Sequence, residues 1–588
     1  MTKNFYVTTP IYYGNGPVHV GHFYSSTIAN TIFKYKKISG NNARFTTGID
    51  ENSQKAVMKA DEAGMPIMEY LDSMADSHQK VWNHFNMDYT DFIRTTSQRH
   101  KITVQNVLQK CFDKGDIYEG EYEGMYCVGC ESFKKDEDLV FRNKTSWDTF
   151  PVSDKVKVSE NIEKICPDHL TTPDQIKEKN YFFKLTNYQT WIEEFYKANP
   201  RFVNPDFRYN EVKAFVGRGL EDFSISRETN TFGIELPFDS DQVTYVWFDA
   251  LFNYYTSCIK SRAWDKNNEK FIDESKIFWE WNSENKREIL HVVWKDIIRF
   301  HAIFWPAMLA SYFDLGETDS EGVLHYKSSD NDYLPNEILT GGYFTVDGQK
   351  MSKSIWNVID PVEYSEKYSK ELLTLYMLSA FPIGNDGDYD RRDAILNFNA
   401  KMANNFGNLV NRVVVLTMKL ELESGLIWKL RDWLWDYNES LYKKDESWSE
   451  NVINANISIS KSGFNYYNNQ FNDCLNAYNL KAWLDITFKF LDGLNKFADT
   501  KAPWQTIKDD DKTETIETLY TLAEWVRQVG LNLYAFFPEK MSELFAKLGL
   551  ENYAARLEKW ELEDLRKETP VFNITEKGQP LFARFEVE

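Results

Sequence analysis

The chain opens on an apolar, β-prone run. Residues 4–9, NFYVTT, read as a buried strand. A glycine-bearing turn follows, TPIYYGNGPVHVG, and then Ile28, Ile32 and Tyr35 recur at helical spacing. The pattern predicts a helix over residues 22–38 that stops at Ser39-Gly40-Asn41. Residues 43–48, ARFTTG, read as a second strand. Strand, glycine turn, helix and strand make a βαβ unit, which predicts a parallel sheet in an α/β domain. Residues 66–112 read as helices with one extended break near FIRTT.

The pattern then changes character. Residues 115–235 hold a cysteine pair, a charged stretch at 143–164 that reads as polar and flexible, and a further strand, NYFFKL. This is the signature of an insertion. The α/β pattern resumes with VTYVWFDAL (243–251) and continues in EILHVVWKDIIRFHAIFWPAML (288–309). From Arg391 onward apolar residues fall three and four apart, which predicts a helical bundle. The tail, 565–588, ends in the alternating LFARFEVE and is expected to return to the body as an extended segment.

Composition narrows the classes. At 588 residues the chain exceeds a single core. It has no apolar run of membrane length and no basic start followed by an apolar segment, which predicts a cytoplasmic protein without a membrane span. A net charge of −21 argues against a basic coat for nucleic acid and leaves room for local, selective contact. Six cysteines in so long a chain are not a disulfide scaffold. Cys111, Cys258 and Cys474 sit in apolar surroundings and read as core.

Three patterns carry candidate chemistry. His19-Val20-Gly21-His22 lies where the first helix begins. A helix start presents unpaired N–H groups and a positive dipole end to anions, and two imidazoles there can donate to phosphate. The same histidines would also serve as plain helix-start residues. Far downstream, Lys350-Met351-Ser352-Lys353-Ser354 follows Gly348 in a small polar loop. Two such lysines suit a clamp on a departing pyrophosphate, although lysine pairs are more often simply solvated. Cys127-x2-Cys130 and Cys166-x2-His169 have the spacing of a closed, structural zinc knuckle; the alternative is unliganded thiols in a loop.

The first two patterns resemble the HIGH and KMSKS signatures of class I aminoacyl-tRNA synthetases. Over nearly the whole chain the segments resemble the methionyl-tRNA synthetase family: TTPIYYGNGPVHVGH, FTTGIDENSQK, YCVGCESF, NYFFKL, VTYVWFDALFNY, WKDIIRFHAIFWPAML, KMSKSIWNVIDP and KAPW. The resemblance implies a Rossmann-type α/β catalytic domain in two halves, 1–114 and 236–325. Between them, 115–235 would be a zinc-bearing connective insertion. A KMSKS-loop region (326–385), a helical anticodon-binding domain (386–550) and a tail packed on the body (551–588) would follow.

It also implies ATP with Mg2+, L-methionine and tRNA(Met) as substrates, structural Zn2+ and a monomer. His19, His22, Lys350 and Lys353 would be catalytic, and Gly21, Lys295, Asp296, Met351, Ser352 and Ser354 would meet ATP. Asp50 would hold the methionine ammonium, with Ile11, Tyr13, Trp247, Ala250, Tyr254, Ile297 and His301 around the side chain. A polarizable thioether suits aromatic walls, and a carboxylate matches an ammonium. Asn408 and Arg412, four apart on a helix, and Trp504 would read the anticodon. Trp247, Tyr254, Ile297 and Trp504 would equally pass as core, and Arg412 as a surface ion pair.

Four positions depart from the family. Trp294 and Trp356 stand where it has glycine beside ATP, and Asn52 and Ser53 replace His and Gly. Indoles at 294 and 356 are expected to obstruct the nucleotide. At a usage of ~7% this length would carry about 41 glycines, against 27 glycines and 18 tryptophans here. GGA and UGA differ by one base, so the two tryptophans are read as glycine codons of a source that uses UGA for glycine; an AT-rich genome and an altered enzyme would be the duller account. The rival functions are another class I synthetase, of the cysteinyl or valyl type, and an inactive homologue that binds tRNA.

Overall fold

A computed structural model describes residues 3–127, 132–134, 136–152, 158–167, 170–228, 232–263, 269–280, 286–346, 349–350, 359–424, 461–568, 570, 572–574 and 577–587. Its centre is a six-stranded, all-parallel sheet: β1 (Asn4–Tyr13), β2 (Asn42–Asp50), β3 (Asp91–Arg94), β4 (Val203–Asn204), β5 (Arg287–Trp294) and β6 (Glu337–Gly341). The order across the sheet is β4-β6-β5-β1-β2-β3. Both faces are covered, so β1 is apolar on both, with Phe5, Tyr6 and Val7 fully buried. Helix α1 (Val20–Ile38) starts two residues earlier than the sequence pattern predicts, because His19 caps it.

Chain order reverses at β1: β2 and β3 lie to one side, β5 and β6 to the other. β1 pairs with β5 only from Asn4 to Thr8, whereas it stays with β2 as far as Tyr13 after a slip between Thr8 and Ile11. The two central strands therefore part at their carboxyl ends. An open α/β sheet binds its ligands in this crevice.

Two cores flank the sheet. One joins α1 to the helices from Arg391 onward, with Tyr35 edge-on to Trp483 at 4.9 Å. The other packs Tyr6, Ile289 and Val293 against Trp191, Trp279 and Trp305. The helical region predicted from Arg391 is present, with long members Asn408–Ser424, Leu480–Lys501 and Thr513–Leu533.

Two expectations need correction. The stretch 143–164, read as flexible and polar, borders ordered structure: Val140–Asn143 pairs with Thr149–Pro151 and with Ile162–Ile165. Its strands are too short and too polar to show periodicity. Cys474 is half-buried at the edge of the core rather than within it. The tail buries Leu581 and Phe582 and has neither helix nor strand over residues 577–587. Asn399 holds it from both sides: its Nδ2 donates to the Phe585 carbonyl and its Oδ1 accepts from the Phe585 N–H.

Candidate active site

The crevice holds a cavity of about 240 Å³. Ile11 and Tyr13 reach it from β1, Asp50 from the end of β2, and Trp247, Ala250 and Tyr254 from the helical segment 246–256. Ile297 and His301 come from the chain beyond β5. Every residue that the family resemblance placed around methionine thus lines one cavity, and His19, Gly21, His22 and Asp296 line it too.

A local irregularity aims the far wall. Residues Phe300–Phe304 form a π-helical turn ahead of the helix Trp305–Phe313. Phe300 stacks flat on Trp247, centroids 3.8 Å apart, and fixes that indole. His301 Nδ1 lies 2.9 Å from the Ile297 carbonyl, and its Nε2 lies 2.6 Å from the Tyr254 hydroxyl. A carbonyl can only accept, so Nδ1 carries the proton and Nε2 accepts from tyrosine. Burial lowers the His301 pKa to about 4, so the ring is neutral at physiological pH.

The segment after β2 is held by polar contacts. Arg94 pairs with the buried Glu51 at 2.7 Å, and Asn52 Nδ2 donates to Asp249 Oδ2 at 2.9 Å. Asn52, one of the departures from the family, therefore has a defined partner. Asp50 itself is buried, 4% exposed, at the cavity wall.

The histidine turn is a capping box built from imidazoles. His19 Nδ1 accepts from the Gly21 N–H at 3.0 Å, and His22 Nδ1 accepts from the His19 N–H at 3.4 Å. The rings stack at 3.8 Å. In neutral rings these bonds place both protons on Nε2, as donors. Gly21 leaves room for the His19 ring: an added Cβ would lie 2.7 Å from His19 Cε1, so the imidazole would have to move.

Comparisons with known proteins bear on this geometry. The family model for tRNA synthetases class I (M) matches residues 5–414. The chain belongs to the class I methionyl-tRNA synthetase family. The methionine--tRNA ligase of Fusobacterium nucleatum subsp. nucleatum is 33% identical over all of this chain and 81% of its own length. That of Bacillus subtilis is 32% identical over all of this chain and 78% of its own. The structure of Mycobacterium tuberculosis methionyl-tRNA synthetase in complex with methionyl-adenylate superposes with a TM-score of 0.77 at 26% identity, covering 99% of this chain and 100% of that one.

The remaining family positions divide by whether the structure describes them. Lys350 ends the short strand Gln349–Lys350, paired with Phe344–Val346; Met351, Ser352, Lys353, Ser354 and Trp356 lie outside the described residues. The Ile359 carbonyl accepts from the Val20 N–H at 3.1 Å, within the histidine turn. Lys295 pairs with Asp386 at 2.5 Å and lies over the Tyr343 ring rather than lining the cavity. Cys127 and Cys166 are fully buried in one small cluster with Leu139; Cys130 and His169 lie outside the described residues. Among the described residues no metal-binding group is found.

Arg412 and Trp504, distant in sequence, come together: the guanidinium lies 5.4 Å over the indole and also pairs with Asp499 at 3.0 Å. Asn408 is exposed one turn before Arg412.

Sequence reasoning missed the support behind His22. Tyr12 lies 4.7 Å from the His22 ring, and the buried His78 bonds the Gly16 carbonyl at 3.1 Å. His78 and Trp82, four apart on helix Ile67–His84, share the face turned to Tyr12. That spacing was the available signal. Tyr343 and Phe344 also line the cavity without a motif to announce them, and so does Asn253, which lies in VTYVWFDALFNY without an expected role.

Proposed function

We propose that the chain activates L-methionine with ATP and transfers the methionyl group to tRNA(Met). The observation that carries this reading is the convergence of Asp50, the aromatic wall and the histidine turn on one cavity. Asp50 receives the methionine ammonium, and Trp247, Tyr254 and His301 enclose the thioether with Ile11, Tyr13, Ala250 and Ile297. A neutral His301 suits an apolar side chain better than an imidazolium would.

The methionine carboxylate attacks the α-phosphate of ATP, forming the adenylate and releasing pyrophosphate. Charge building on the phosphates meets the Nε2–H donors of His19 and His22, the α1 N-terminus, Lys350 and Lys353. The Ile359–Val20 bond supports a return of the KMSKS segment to this turn. Gly21, Met351, Ser352 and Ser354 border the nucleotide, Lys295 borders it while paired to Asp386, and Asp296 takes the ribose. Mg2+ accompanies the ATP phosphates. In the second step a hydroxyl of the terminal tRNA ribose attacks the methionyl carbonyl and AMP departs.

The two buried thiols in one cluster fit a structural Zn2+ held by Cys127, Cys130, Cys166 and His169, which would stiffen the insertion. Asn408, Arg412 and Trp504 form the anticodon contact, with the guanidinium-capped indole as the stacking platform. We take the protein to be a cytoplasmic monomer. Among the described residues no helix is long and apolar enough to cross a membrane.

One observation favours a second reading. Trp294 lines the cavity beside Asp296, where an indole crowds the nucleotide, as an inactive tRNA-binding homologue would allow. Methionine-dependent ATP–pyrophosphate exchange decides between them. Exchange with methionine alone among the amino acids supports the synthetase; none with any amino acid, together with retained tRNA binding, supports the homologue.

A further inference from the structure

The tryptophans of this chain fall into two structural populations. Trp82, Trp191, Trp279, Trp305 and Trp483 are among the largest fully buried side chains. Three of these indoles donate hydrogen bonds: Trp191 to Asp330 at 3.0 Å, Trp279 to the Tyr333 carbonyl at 3.1 Å, and Trp305 to His291 at 3.2 Å. These positions use the side chain.

Trp147 and Trp560 do not. They stand 68% and 52% exposed, and both have left-handed backbone, φ 63° and φ 69°. A bulky side chain rarely adopts that region, and glycine adopts it freely. Trp560 ends a helix: its N–H bonds the Leu557 carbonyl, and the Glu561 N–H bonds the Arg556 carbonyl. This pair of bonds defines the Schellman stop, whose left-handed residue is normally glycine. The molecule repeats it at Gly64, with bonds from Gly64 to Asp61 and from Met65 to Ala60 at φ 64°. Gly115 repeats it again.

Trp147 closes a hairpin. Asn143 faces both Trp147, whose N–H bonds its carbonyl at 2.8 Å, and Asp148, whose carbonyl accepts its N–H at 2.9 Å. A left-handed residue that opens such a two-against-one bulge is the glycine position of the G1 type.

Of the other non-glycine residues with positive φ, three have different grounds, and Ala502, like Leu170, has none. Asn86 and Asp314 are of the types that tolerate it, and Tyr478 buries its ring against Glu288. The Trp147 indole meets only the Arg142 guanidinium, 4.9 Å over its ring, among the described residues.

We infer that residues 147, 294 and 560 are glycine in the protein as its source makes it, encoded by UGA, and that the buried tryptophans are genuine. The turn geometry at 147 and 560 is independent of the family pattern that singles out 294, and of the roles proposed above. Its consequence for the site is a nucleotide side without an indole at the end of β5.

The coding sequence and the native protein test this together. The expected result is UGA at codons 147, 294 and 560, UGG at 82, 191, 279 and 305, and glycine in the tryptic peptides that span 147 and 560 of protein isolated from its source. UGG at codons 147 and 560, or tryptophan in both native peptides, overturns the inference. A recombinant series tests the backbone argument separately. Trp560→Gly should raise the melting midpoint by about 2 °C or more over Trp560→Ala, because alanine keeps the left-handed penalty. Equal midpoints for the two variants overturn the turn argument.

Discussion

The proposed methionine side of the crevice and its proposed nucleotide side are built differently. On the methionine side two wall contacts are fixed, Phe300 under Trp247 and His301 on Tyr254, and Asn52 bonds Asp249, each close in sequence to a wall residue. On the nucleotide side Trp294 is half-exposed, 5.9 Å from Tyr24, while Asp296 is exposed and Lys295 is drawn to Asp386. The first side has its shape before ligand arrives. The second joins the histidine capping box to an indole at the cavity wall, with Lys295 turned aside to Asp386. Preorganisation of the methionine wall should make its variants costly, whereas relief at 294 should bring a gain.

The largest expected effect is at Asp50. Replacing the buried carboxylate proposed to receive the methionine ammonium should lower kcat/KM for methionine by roughly 10²–10³-fold. Pyrophosphate exchange of Asp50→Asn measures it, and a loss under threefold would remove Asp50 from the ammonium site. Next comes Gly21→Ala. A Cβ 2.7 Å from His19 Cε1 displaces the imidazole and breaks its bond to the Gly21 N–H. Misplacing a transition-state donor by about 1 Å costs on the order of 10²-fold in kcat. Methionine binding, followed by tryptophan fluorescence, should change little, and an equal loss in both would mean a general collapse of the crevice.

The comparison sharpens at Trp294. Trp294→Gly should lower KM for ATP about tenfold, the scale of about 1.4 kcal/mol of relieved steric conflict, and leave KM for methionine within a factor of about two of it. An unchanged KM for ATP would show that the indole sits clear of the nucleotide. At the other end of the molecule, Trp504→Ala should reduce aminoacylation of tRNA(Met) by about tenfold, as expected for one lost base stack, with exchange untouched. A matching fall in exchange would recast Trp504 as part of the bundle core.

Local patterns revealed the βαβ start, the helical second half and the histidine turn, because those rest on strict periodicity or on a glycine that leaves room for an imidazole. The cavity walls were legible only through the family resemblance. Nothing in the spacing of Trp247, Tyr254 and His301 separates a pocket from a core, since both want buried aromatics. The π-turn at Phe300–Phe304 was invisible for a related reason. One extra residue in a helical turn leaves no mark on an apolar run that is buried on nearly all sides. The approach of His78 to His22 bridges 56 residues of sequence, and only the four-residue spacing of His78 and Trp82 on their helix hints at it. The left-handed turns at 147 and 560 were hidden because the residue that would announce them, glycine, is absent from the written sequence.

The smallest effect concerns pH and tests whether the methionine wall depends on a neutral imidazole. Burial holds His301 at about 4, below the ordinary histidine range near 6.5. Burial also depresses His100, to about 3, and His291. A histidine with a lowered folded-state pKa binds fewer protons folded than unfolded between the two values. Its stabilisation is therefore complete above about 6.5 and is lost as pH falls toward about 4. Protonating His301 also removes the acceptor that holds the Tyr254 hydroxyl, so pocket and fold should loosen in the same window. The melting midpoint should be level from pH 8 to about 7 and fall progressively below about 6.5. Tyr254→Phe, which removes the hydroxyl but not the histidine, should raise KM for methionine by about fivefold at neutral pH, the worth of about one hydrogen bond. It should also narrow the difference between neutral and acidic KM. A KM that climbs as steeply in acid for the Phe variant as for the parent would place the titrating group outside the Tyr254–His301 pair.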